Sequence, residues 1–186
     1  MHSLILEAST EHALLAVSGG TCLHLPGGPT LSKSLGAEIK QFLTYAPFER
    51  IIVGTGPGSF TGIRVAASMA QALAFGWKIP LFVASSLSAF APQTEERFAV
   101  IIDARSGGLY VQIGFETPKR LTLAEASEAL ADIQLLASPH PAKILTRIPH
   151  LSAKTWQETR PNPALLEQHA SPAPVPLCLD YLSHLS

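Results

Sequence analysis

Charge is scarce in this 186-residue sequence. Acidic and basic side chains together make up 15%, against roughly a quarter in an average soluble chain. The 13 Lys and Arg are scattered and the formal net charge is −1, so the basic face that a chain gripping nucleic acid by itself needs is missing. There are two cysteines, Cys22 and Cys178; they form no metal or redox motif and fit a reducing cytoplasm. The seven histidines show no HExxH, HxxxH or Cys/His spacing, and no metal site is expected. Apolar residues reach 47%, yet no apolar run is as long as a bilayer span. Residues 1–7 lack the basic start and long apolar stretch of a signal peptide. Low charge without a membrane span predicts a cytoplasmic chain with buried subunit contact.

What is present is glycine in one place. The run Gly54-Thr55-Gly56-Pro57-Gly58-Ser59-Phe60-Thr61-Gly62-Ile63-Arg64 lies between an apolar strand at 51–53 and a helix reaching about Phe75. Strand, glycine-rich turn and helix is an arrangement that can point backbone N–H groups at an anion. Gly54, Gly56, Gly58, Ser59 and Gly62 are therefore candidate anion or nucleotide contacts. The run completes no phosphate-loop pattern, because Ile63-Arg64 follow Gly62 where Lys and Ser/Thr belong, and Thr61 stands where a dinucleotide fingerprint has its third Gly. The alternative is a tight turn that lets the helix pack closely. Ser59 is no nucleophile elbow, since Pro57 replaces the first Gly of Gly-x-Ser-x-Gly.

The helix after the loop is almost wholly apolar and small. Its only polar side chains from 63 to 75 are Arg64, Ser68 and Gln71, one narrow stripe. Such a helix predicts cover on most sides, and Gly76 is the expected C-terminal cap. A preceding helix near 31–44 carries Leu31, Leu35, Ile39, Phe42 and Leu43 at helical period. The expectation is a shared helical interface for a partner chain, formed by Leu35, Ile39, Phe42, Arg64, Val65, Ala66, Ser68, Met69, Ala70 and Leu73. Arg64, Ser68 and Gln71 would set register there or form a solvated stripe.

Short strands are predicted at 4–6, 12–17 and 21–25, then at 81–83, with a short helix through Phe90. A weak repeat follows: Ala99-Val100-Ile101-Ile102-Asp103 matches Ser3-Leu4-Ile5-Leu6-Glu7, each an apolar strand ending in an acid and followed by another strand. This is the pattern of an α/β, ASKHA (actin/Hsp70/sugar-kinase-like) duplicated ribonuclease-H-like fold, with subdomains 1–95 and 96–186. Glu7 and Asp103 are the weak nucleotide-site candidates. The second half is short; residues 122–136 read as a helix, 163–169 as another, and the proline-rich tail as loops and short strands over that half. Little room is left for an adenosine pocket.

Ile52-Val53-Gly54 through Arg64, the alanine-rich helix, and Pro80 with Ser85-Ser86-Leu87 closely resemble the signature of the TsaB (YeaZ) family. Ile102-Asp103-Ala104-Arg105 with Leu109-Tyr110 resembles its second block, and Pro163-Ala164-Leu165-Leu166 and Tyr181-Leu182 weakly resemble its C-terminal stretches. The resemblance implies a non-catalytic subunit of the bacterial machinery that makes threonylcarbamoyladenosine in tRNA. It implies docking on and activation of a TsaD-like subunit, a TsaE-like ATPase in the complex, a possible homodimer, and tRNA reached indirectly. ATP and metal are expected on the partners, and no cofactor on this chain alone.

The chain departs from the family pattern in places. Glu7-Ala8-Ser9-Thr10 replaces Asp-Thr-Ser-Thr, Leu31-Ser32-Lys33 replaces His-Ser-Glu, and Ser183 follows Tyr181-Leu182 where Arg is usual. The competing reading is an ATP-binding ASKHA phosphotransferase or hydrolase using Glu7 and Asp103. A missing phosphate-loop lysine, absent metal ligands and the short second half count against it.

Overall fold

Alternation along the strands sets the layers of the computed structural model, which describes residues 1–104 and 107–179. In β1 (Ser3–Glu7), Leu4 and Leu6 face one apolar core while Ile5 faces another. In β4 (Arg50–Gly54), Ile51 and Val53 side with the first core and Ile52 with the second. A period of two that is apolar on both faces is what a fully covered central strand requires. The first core lies under α1 (Leu31–Phe42) and α2 (Phe60–Trp77).

The first sheet is completed by β2 (His12–Val17), β3 (Cys22–Pro26) and β5 (Leu81–Ala84), in the order β3-β2-β1-β4-β5. β2 is antiparallel to β1 and β3, whereas β1, β4 and β5 run parallel. The second sheet comprises β6 (Phe98–Asp103), β7 (Leu109–Ile113), β8 (Lys119–Leu121), β9 (Leu135–Ser138) and β10 (Thr155–Glu158). Its order β8-β7-β6-β9-β10 repeats the first, with the same directions. Glu7 pairs with Leu14 at the end of β1, and Asp103 with Leu109 at the end of β6. The repeated strand-and-acid pattern is therefore a repeated topology.

Val100 and Ile102 of β6 join Ile5 and Ile52 in a middle apolar layer shared by both sheets, together with Leu87 and Phe90 of the 3-10 turn at 86–90. Ala99 and Ile101 face a third core under α3 (Leu123–Ala129) and α4 (Pro141–Leu145).

Several expectations are corrected. The predicted helix over 122–136 stops at Ala129, and Leu135 and Leu136 lie in β9; a short apolar run carries no period that separates strand from helix. Gly76 does not cap α2, because the helix continues to Trp77 and Lys78 takes the left-handed turn at φ 57°. The tail does not cover the second half alone. α5 (Pro163–Gln168) packs on the middle layer and β11 (Ser171–Pro172) pairs antiparallel with β5 of the first sheet. Glu167 fixes that return, accepting from Arg50 at 3.0 Å, Ser3 at 2.8 Å and Ser18 at 3.0 Å. Arg105 and Tyr181-Leu182 lie outside the described residues.

Candidate functional site

The glycine run folds against the end of β1. A Cβ on Gly54 would lie 1.7 Å from Glu7 Oε2, and one on Gly62 would lie 2.0 Å from the Ala8 carbonyl oxygen. A Cβ on Gly58 would lie 2.3 Å from the Ser9 carbonyl oxygen. These three positions are glycine because residues 7–9 cross the loop at contact distance. Most of the loop's donors face its own chain. Thr55 N–H donates to Ala84 at 3.0 Å, Gly56 N–H to Ser86 Oγ at 2.9 Å and Ser59 N–H to Ser9 at 2.6 Å. Ser59 Oγ accepts from Gly62 N–H at 3.4 Å as the cap of α2. The N–H groups of Gly56, Ser59 and Gly62 are thus engaged within the turn, and the Cβ space of Gly54 and Gly62 is occupied by residues 7 and 8. Gly58 and Ser59 do border the cleft described below.

Glu7 is buried beneath the loop. Its carboxylate accepts from Ser9 N–H at 2.6 Å and from Ser86 Oγ at 2.7 Å. Burial pushes this carboxyl above its ordinary value, against the hydrogen bonds from Ser9 and Ser86 that pull it down. Glu7, one of the two nucleotide-site candidates, does not line the cleft described next. Asp103 does line it, but pairs with the Arg147 guanidinium, which also donates to the Gly108 carbonyl at 3.0 Å.

The cleft lies between the halves, bordered by Ser9, Glu11, Asp103, Ser138, His140 and Lys143. It holds about 70 Å³, room for a few water molecules, whereas small-molecule sites run to roughly 300–1,000 Å³. Glu11 closes its mouth: Lys143 Nζ donates to Glu11 Oε1 at 2.7 Å, and His140 Nε2 lies 2.6 Å from the same oxygen. Desolvation pushes Glu11 up, but the Lys143 hydrogen bond and the nearby positive charges outweigh it and lower the carboxyl to about 2. No sequence signal announces this trio, because Glu11 lies 132 residues before Lys143. Among the described residues no group of three His, Cys, Asp or Glu is placed to hold a metal ion. No helix among them is long and apolar enough to cross a membrane.

The interface candidates divide sharply. Leu35, Ile39 and Phe42 of α1 and Ala66 and Ala70 of α2 are buried in the chain's own first core, Ala66 and Ala70 at 0% exposure. In this structure the apolar period of each helix marks the side that packs on the chain's own first sheet, α1 over β2 and β3 and α2 over β4 and β1. Arg64, Ser68 and Gln71 are exposed, with Val65, Met69 and Leu73 half-buried beside them. Two exposed aromatics that the sequence reading omitted extend this face, Phe60 at 55% and Phe75 at 88%. Arg64 lies over the Phe60 ring at 5.1 Å. α1 approaches closely where a Cβ on Gly36 would sit 3.9 Å from Met69 Cε. Phe60, Arg64, Ser68 and Ala72 follow the helical i, i+4 spacing, the one signal that could have found the face.

Comparison with known proteins places this fold. The sequence model of the TsaD family, tRNA N6-adenosine threonylcarbamoyltransferase, matches residues 31–159. An uncharacterised protein of Mycobacterium tuberculosis is 34% identical over 156 residues, covering 80% of this chain and 70% of that one. The tRNA threonylcarbamoyladenosine biosynthesis protein TsaB of Haemophilus influenzae is 42% identical over 120 residues, 58% of this chain and 51% of that one. Its Buchnera aphidicola counterpart is 30% identical over 141 residues, 73% and 58% respectively. The chain thus spans between half and three-fifths of these two relatives. A solved structure of YeaZ from Pseudomonas aeruginosa superposes with a TM-score of 0.67 at 23% identity, covering 90% of each chain. A further Pseudomonas aeruginosa structure, described as similar to peptidase YEAZ, reaches 0.72 at 22% identity, covering 90% of this chain and 88% of that one. The chain belongs to the TsaB (YeaZ) family.

Proposed function

We propose that this chain acts in tRNA threonylcarbamoyladenosine biosynthesis as a non-catalytic subunit. In this reading it is an ASKHA protein of two halves, divided near residue 95, that docks on and activates a TsaD-like subunit in the cytoplasm. ATP and metal belong to that partner and to a TsaE-like ATPase, and tRNA is reached only through the complex. The names of its relatives support the pathway.

One observation carries the partner role. The outer face of α2 presents Phe60 and Phe75 to solvent, with Val65, Met69 and Leu73 half-buried beside them, while Glu7 and most donors of the glycine loop are engaged within the chain. Exposed aromatics on one helix support an association surface there. Activation would follow from tighter binding to the competent shape of the partner's cleft than to other shapes. A homodimer would use the same face.

The test is reconstitution of tRNA threonylcarbamoylation with cognate TsaD-like and TsaE-like proteins, with and without this chain. The expected result is activity that requires the chain, retained by Asp103→Asn. Full activity without it, or tight ATP binding by it alone, overturns the reading.

A further inference from the structure

The two halves meet in two ways. In the interior they share the apolar layer of Ile5, Leu14, Ile52, Val100 and Ile102. At the cleft mouth they meet through charge. Glu11, on the connection between β1 and β2, faces Lys143 and His140, which flank the first turn of α4. We infer that Glu11, Lys143 and His140 form a clasp that keeps the polar cleft shut, and that its release is the opening movement of this protein.

Both jaws are anchored behind the clasp. The Glu11 carbonyl accepts Gly27 N–H at 2.9 Å, and two residues earlier the Ser9 carbonyl accepts Ser59 N–H at 2.6 Å. On the other side Ile144 seats α4 in the third core, and His140 N–H donates to Ser138 Oγ at 3.1 Å. The His12 ring lies 5.2 Å from the His140 ring, so a second imidazole borders the cluster. The three clasp side chains are partly exposed, which makes their attraction modest and open to screening by salt. A contact of that strength releases easily, unlike the apolar layer behind it. Release frees the rim over Ser9, Ser59, Asp103 and Ser138, which border the same cleft.

Hydrogen–deuterium exchange of the whole chain tests this, with Glu11→Gln, Lys143→Met and the double variant. Each single variant is expected to speed exchange over residues 9–14 and 136–146 about two- to five-fold, the ordinary yield of a partly exposed ion pair. The double variant should exchange no faster than the faster single one, because the two substitutions remove one interaction. About 0.5 M salt should speed the wild-type segments and leave the double variant unchanged. Unaltered exchange in the single variants, multiplied effects in the double, or a salt effect of equal size in the double would each overturn the clasp. The wild-type salt response gives a reading even where a variant folds poorly.

Discussion

Ser86 donates its hydroxyl to Glu7 Oε2 at 2.7 Å across 79 residues of sequence, and the Ser86 Oγ in turn accepts the Gly56 N–H at 2.9 Å. The acid that ends the first strand is thereby a buried brace for the glycine loop. Gly54 is pressed against its carboxylate so closely that a Cβ there would lie 1.7 Å from Glu7 Oε2.

Glu7 gives stability a pH slope of known sign. Burial raises its folded value above the ordinary 4.5. Its contribution is fully present below 4.5 and is lost as pH rises through the raised value. Glu7→Gln should therefore gain on the wild type as pH rises from 4.5, by urea unfolding at a series of pH values. Glu7→Ala should cost about 1–3 kcal/mol at acidic pH, because Ser9 N–H and Ser86 Oγ lose their acceptor.

Glu11 should show the opposite slope. Its folded value is lowered to about 2 from 4.5, so its stabilisation is present above 4.5 and is lost as pH falls toward 2. The unfolding free energy of Glu11→Gln should converge on that of the wild type over this window. Parallel curves for the two proteins would contradict the ion pairing at the cleft mouth.

The glycines separate by environment. Gly62→Ala would drive a Cβ to 2.0 Å from the Ala8 carbonyl oxygen, and should cost at least about 1–3 kcal/mol through displaced backbone. Gly76→Ala meets nothing within 4 Å in the same helix, and should stabilise by about 0.5–1 kcal/mol. Thermal unfolding of the two variants, shifted in opposite directions, is the expected outcome.

Strands were the most legible part of this sequence, because Leu4–Leu6 and Ala99–Ile102 are continuous apolar runs ended by an acid. The repeated topology follows from that pattern. The glycine loop was legible as a turn, but whether its N–H groups face a ligand or the chain depends on Ala84, Ser86 and Ser9, which its own residues do not encode. The helical apolar stripes of α1 and α2 were legible as buried faces; which body buries them was not. Ala66 and Ala70 turn out to lie on β1 and β4, whereas Phe60 and Phe75 on the other flank are exposed. The contacts of Glu11 with Lys143 and of Asp103 with Arg147 join residues too distant in sequence for any local period to reveal.

That division of α2 sets the decisive experiment on docking. Ala70 is fully enclosed, so Ala70→Arg buries an unpaired charge in the monomer and should cost about 3 kcal/mol or more. Loss of partner binding by that variant would reflect unfolding. Phe75 is almost wholly in solvent and Ala72 is exposed, so Phe75→Asp and Ala72→Arg should leave unfolding within about 0.5 kcal/mol of the wild type. In a docked complex the same charges must be desolvated against an apolar surface. Affinity for a TsaD-like subunit should then fall at least about tenfold, or roughly 1.4 kcal/mol. Calorimetry on folded variants measures this. Unchanged affinity in both would move the contact away from the outer face of α2, since a buried Ala66 or Ala70 has no other route to a partner.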